Sequence, residues 1–125
     1  MATKDRLSDI FDLQKSLNDD IRAKRNLTGF THEEWIQKHM LAMLSEMAEV
    51  LDEVNFKWWK NPKPSNPDAL KEELVDILHF YVSMCLEAGL TSQELYERYI
   101  EKNRENFDRQ NGLSEKPGYS SEKPC

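Results

Sequence analysis

LSEMAEVLDEVNFKWWK, residues 44–60, decides the fold. Its apolar side chains, Leu44, Met47, Val50, Leu51 and Val54, recur at the three- and four-residue spacing of one helix face. Glu46 borders that stripe, with Glu49 and Glu53 beside it. Upstream, the stripe continues through Ile36, Met40 and Met43 to a start signal. Thr31 is the expected N-cap, Glu34 closes a capping box, and Phe30 with Trp35 forms a hydrophobic staple. The pattern predicts a helix over roughly 32–57. Downstream, NPKPSNP at 61–67 cannot continue a helix and reads as a stiff connector.

The same period recurs elsewhere. A first helix over roughly 4–24 places Leu7, Ile10, Phe11, Leu17 and Ile21 in one arc, with Gln14 and Asn18 in its middle. NLTGF at 26–30 breaks it. A third helix, over roughly 67–88, is the most apolar and should be central; Gly89 ends it. Thr91 and Glu94 start a fourth, over roughly 92–110. No useful β-type alternation and no internal repeat is present. The expected fold is all-α, a four-helix bundle-like core that dimerises. Residues 1–110 read as one catalytic domain. The Gly-, Pro- and Ser-rich stretch 111–125 reads as a flexible tail that is disordered alone or orders over a ligand.

Composition narrows the function. A net charge of −6 disfavours nucleic acid as a partner, though local cations or a metal would still admit a polyphosphate. No apolar run reaches membrane-spanning length, and the N-terminus lacks the apolar core of a signal peptide. Cys85 and Cys125 read as free thiols, so a cytoplasmic protein without membrane contact is expected. Neither has a plausible catalytic setting.

Chemistry concentrates in two acid pairs. Glu46-x-x-Glu49 puts two carboxylates on adjacent turns of the second helix, and Glu73-x-x-Asp76 does so on the third. Like charges at that spacing cost an isolated helix roughly a few tenths of a kcal/mol. Burying an unpaired carboxylate costs several kcal/mol more. A hard cation removes both penalties, because Mg²⁺ takes oxygen ligands from carboxylates and substrate phosphates. The competing reading is a solvated acidic face. Lys102, Asn106 and Arg109, at i, i+4 and i+7, form a row suited to gripping an oxyanion, or an ordinary solvated face. Lys57 and Lys60 join them, or merely favour a helix C-terminus. Trp58 and Trp59 read as core or interface aromatics, or as a shield over a site. Gln14 and Asn18 either satisfy neighbouring groups or present amides to a flat polar ring such as a nucleobase. Asp76-x-x-His79 is half of a di-iron pattern without its second half; His79 reads as a hydrogen-bonded structural residue. His32 and His39 carry no signal.

Together these residues resemble the all-α nucleoside triphosphate pyrophosphohydrolases, the superfamily of MazG-like proteins and dimeric dUTPases. The paired Glu-x-x-Glu and Glu-x-x-Asp is similar to that superfamily's metal signature. LQKSLND at 13–19, EELVDILHF at 72–80, KNRENFDRQNG at 102–112 and GY at 118–119 resemble the dimeric dUTPase branch, as does FKWWK at 56–60. The resemblance implies hydrolysis of dUTP to dUMP and diphosphate with Mg²⁺, or Mn²⁺ as a substitute. It implies that Glu46, Glu49, Glu73 and Asp76 bind metal, and that Glu46 or Glu49 also deprotonates the attacking water. Lys102, Asn106 and Arg109 would hold phosphate or sugar oxygens, helped by Lys57 or Lys60. Trp58 would lie against the substrate, and Gln14 and Asn18 would read the uracil edge. A homodimer or dimer of dimers is implied. Two alternatives stand beside this one: the same chemistry on another nucleotide such as dCTP or a non-canonical one, and a non-enzymatic helical interaction module.

Overall fold

The computed structural model describes residues 5–119. Four helices and no strand occur among them: α1 (Arg6–Lys24), α2 (His32–Glu53), α3 (Pro67–Glu87) and α4 (Ser92–Gln110). The expected start of the first helix at Lys4, and the Cys125 thiol, lie outside the described residues. The chain divides into two compact units, one ending at Leu90 and the other starting at Thr91.

Local chemistry places the helix ends. The Thr31 hydroxyl accepts the Glu34 backbone N–H at 3.1 Å, and the hydroxyl of Thr91 takes that of Glu94 at the same distance. The Phe30 and Trp35 rings meet edge-to-face, 5.4 Å apart, which completes the staple. Asn66 caps α3, whose first residue is Pro67, a position where the missing N–H costs nothing. Gly89 closes α3 at φ +73°, a conformation that glycine adopts without strain.

α2 stops four residues before the expected end. Asn55 turns left-handed at φ 54°, and the Phe56 N–H returns to the Leu51 carbonyl. The Asn55 side chain then clips the loop shut, donating to the Lys63 carbonyl at 3.1 Å and accepting the Lys63 N–H at 2.9 Å. Lys57, Trp58, Trp59 and Lys60 therefore ride on this loop rather than on a helix. Core burial is not where the tryptophans end up: Trp58 is 85% and Trp59 61% exposed, and the two rings pack edgewise on each other.

In the first unit α3 is central, packing against both α1 and α2, as its apolar circumference requires. Phe11, Val82 and Cys85 form the buried apolar centre among the described residues, with Gln14, His39 and Ser83 as buried polar groups. Cys85 is a free thiol whose pKa is raised by burial. Much of the remaining apolar stripe is open, including Leu13, Leu41, Leu44, Leu74 and Val75. No single helix among the described residues is long and apolar enough to cross a membrane.

Candidate active site

α2 and α3 bring three of the four expected acids together. One carboxylate oxygen each from Glu46, Glu49 and Glu73 lie within 4.8 Å of one another. The helical spacing of Glu46 and Glu49 supplies two of them, and α3 delivers the third across the interface. Asp76 stands outside that group but lines the same cavity as Glu46, and its charge helps raise the Glu46 pKa. Glu53 is not in the cluster; its mostly buried side chain pairs with Lys63 at 2.8 Å, rather than lying free on the surface.

The acids are set against one another in the way that a cation relieves. Oε2 of Glu46 and Oε2 of Glu73 are buried without a hydrogen-bond partner. Buried acceptors are normally paired. Proton sharing with the Glu49 carboxylate, then burial, then Glu46 push the Glu73 pKa up to about 7. Burial first, and then the neighbouring acids, raise Glu46 as well. A divalent ion fits this donor set: all oxygen, negatively charged and short of partners.

The raised pKa has a signed consequence for the metal-free protein. Glu73 holds its proton more tightly folded than unfolded, so its contribution to stability is full below the unfolded value of 4.5. That contribution is lost as pH rises through about 7. In chelator, the wild-type melting temperature should therefore fall between pH 5 and pH 8 by more than that of Glu73→Gln. Magnesium should restore the wild type most at the high-pH end, where no proton competes for the site. Parallel melting profiles for the two proteins would contradict the clustering of the three acids.

Beside the acids lies a cavity of about 510 Å³ between α1, α2 and α3, lined among others by Gln14, Asn18, Trp35, His39, His79 and Phe80. The two amides are hydrogen-bonded to each other, Gln14 Nε2 donating to Asn18 Oδ1 at 2.9 Å. The Oε1 of Gln14 meets Nδ1 of His79, which is hydrogen-bonded as expected. Asn18 Nδ2 donates to Ser83 Oγ at 3.0 Å. Aromatic rings supply the cavity's flat surfaces: Trp35 stacks on His39 with centroids 5.5 Å apart, and the Arg22 guanidinium sits 4.0 Å over Trp35. Arg22 is anchored in turn by Glu87, which also contacts His32.

Two of these residues escape sequence reasoning. His39 is only 8% exposed, and its Nε2 is buried without a partner. Burial first, then the Arg22 charge, lower its pKa against the opposing pull of Glu87. Ser83 is 1% exposed and holds Asn18. A lone histidine or serine on a helix carries no signal in one sequence; the i, i+4 relation of Ser83 to His79 is the sole local trace.

Lys57 and Lys60 line a separate cavity of about 310 Å³ with Lys63, Asn55 and Asp52. In the second unit, Arg109 donates to Glu105 and to Asn106, both at 3.2 Å, and lies 5.6 Å from the Tyr119 ring centroid. Glu105 also accepts the Ser114 hydroxyl at 2.9 Å, so the stretch after α4 is tied back to it. Lys102 lines a charged cavity of about 590 Å³ with Arg98, Arg104, Glu101, Glu105 and Asp108.

The family model described as dUTPase matches residues 6–93. The chain is similar to the dCTP pyrophosphatase of Enterobacteria phage T4, with 31% identity over 87 residues, covering 58% of this chain and 51% of that protein. It is also similar to the dCTP pyrophosphatase of Enterobacteria phage LZ5, with 28% identity over 74 residues, covering 59% and 43%. The chain thus spans about half the length of the curated relatives it matches. No solved structure matches it.

Proposed function

The chain belongs to the dUTPase family, and from that premise we propose that it is a divalent-metal-dependent nucleoside triphosphate pyrophosphohydrolase that converts dUTP to dUMP and diphosphate. One observation carries this reading: three carboxylates from two helices converge within 4.8 Å, with buried oxygens that lack partners, beside a cavity with aromatic and amide walls.

Glu46, Glu49, Glu73 and Asp76 would hold magnesium. When bound, the ion supplies charge neutralisation at the phosphates and a lower pKa for a coordinated water. Glu49, the exposed member of the cluster, takes the proton of the attacking water, with Glu46 orienting that water. The cavity beside the acids takes the nucleoside, where Trp35 and Phe80 offer ring faces and Gln14 and Asn18 offer polar edges. Lys57 and Lys60 of the first unit are assigned to phosphate oxygens and Trp58 to the substrate; in the second unit, the Lys102, Asn106 and Arg109 row is suited to binding phosphate or sugar oxygens. A second copy of the chain covers the open apolar faces of α1, α2 and α3.

A second reading, dCTP as the substrate, is supported by the names of the two phage relatives. A third, a helical interaction module, predicts no response to metal. Release of monophosphate and diphosphate from each common deoxynucleoside triphosphate, with magnesium and with chelator, separates all three. The expected result is release from dUTP with magnesium and none in chelator. Release from dCTP alone would transfer the assignment, and release from neither would support the module.

A further inference from the structure

The amide pair in the cavity belongs to a closed loop of hydrogen bonds whose direction is set from outside the cavity. The Ser83 hydroxyl donates to the His79 carbonyl, one turn back on α3, at 2.7 Å. A carbonyl only accepts, so the single hydroxyl proton is committed there. Ser83 Oγ must then receive its other bond, which Asn18 Nδ2 donates at 3.0 Å. Asn18 consequently turns its oxygen to Gln14 Nε2 at 2.9 Å, and Gln14 turns its own oxygen to Nδ1 of His79. Four bonds form, each with one permitted direction.

The reversed loop is worse by one bond. If both amides flip, Ser83 must donate to Asn18 and abandon the His79 carbonyl; Asn18 then donates to Gln14, and Gln14 to His79. Three bonds remain, because the hydroxyl has one proton. Without the hydroxyl the two directions tie. Each keeps the bonds between Asn18 and Gln14 and between Gln14 and His79, and each strands one Asn18 atom. Ser83 is 1% exposed, so the bias it imposes faces little competition from water.

Amide direction matters because pyrimidines differ in the same sense. Uracil offers an acceptor at position 4 where cytosine offers an amino donor. Their ring nitrogens at position 3 differ as well, N–H in uracil and a bare acceptor in cytosine. A wall of amides fixed one way suits one base and opposes the other. We propose that Ser83, which need not touch substrate, is the positioning residue that sets the choice between uracil and cytosine. It does so by holding Gln14 and Asn18 in one orientation. This rests on the functional reading above, in which those amides face the base.

The test compares wild type with Ser83→Ala and Ser83→Cys, the thiol being a weaker donor of similar shape. Calorimetry gives the affinities for dUMP and dCMP, and steady-state kinetics give KM and kcat for dUTP and dCTP. Wild type should prefer one base in both assays. Ser83→Ala should shrink that preference about tenfold, the worth of one hydrogen bond, with Ser83→Cys between the two. The change should fall on KM rather than kcat. A merely structural serine would lower the melting temperature and weaken both bases equally; an unchanged ratio, equal wild-type affinities, or no binding of either monophosphate overturns the proposal. Absence of hydrolysis in wild type would instead sink the functional reading, and the monophosphate ratio would still judge Ser83.

Discussion

Glu49→Gln is expected to keep the helical circular dichroism of the wild type while losing at least about a thousandfold of its turnover on the preferred triphosphate. The two halves of that expectation have separate causes. Glu49 is the exposed member of the acid cluster. Its carboxylate is the first cause of the raised Glu73 pKa and contributes to that of Glu46, so neutralising it relieves repulsion in the metal-free protein. Stability should hold or rise. Turnover should collapse because one residue serves as both metal ligand and proton acceptor in the proposed chemistry, and an amide accepts no proton from water. Removing a general base alone costs about a hundred- to ten-thousandfold. The check is diphosphate release under saturating magnesium, alongside a thermal melt. A variant retaining a tenth of wild-type turnover would remove Glu49 from the mechanism; one that lost its helical signal would show the acids to be structural.

The second large effect concerns assembly. Met40, Leu44, Met47 and Leu51 on α2 and its C-cap Val54 follow one another at intervals of four, three, four and three residues, and all are exposed. That is the spacing of a helix–helix seam. Folded monomers rarely leave so continuous an apolar row in water. The wild type is expected to sediment as a dimer or larger, with a melting temperature that rises with protein concentration. Leu44→Asp should abolish both properties. Each leucine buried at a seam is worth about 1.5–3 kcal/mol, and in a two-fold assembly the loss is felt twice. The introduced carboxylate adds a desolvation cost. Sedimentation velocity over a hundredfold concentration range measures the outcome. A monomeric wild type with a concentration-independent melt would eliminate the second copy as the cover for this face.

Legibility in the sequence followed the range of the forces involved. Thr31, Glu34, Gly89, Thr91 and Glu94 mark helix ends where they were read, because capping engages groups within three or four residues. The acid pairs were legible for the same reason, since i and i+3 share a face wherever the helix goes. The end of α2 was not. It depends on Asn55 reaching Lys63 across a loop, and no periodicity reports that bond. With the helix ending at Glu53, the tryptophans read as core or interface aromatics, or as a shield, are exposed, which rules out only the core reading.

The amino-acid order alone therefore determined an all-α chain, its four helices and the two acid pairs. Those follow from hydrogen bonds and side-chain spacings that close within one turn. Only the tertiary structure decided that Glu73 joins Glu46 and Glu49 with Asp76 lining the cavity beside them, that His39 is buried with an unpartnered nitrogen, and that Ser83 meets the Asn18 amide 65 residues away. The register between α1, α2 and α3 sets all three. That register is the outcome of many weak apolar contacts summed along whole helix faces, which no short stretch of sequence contains.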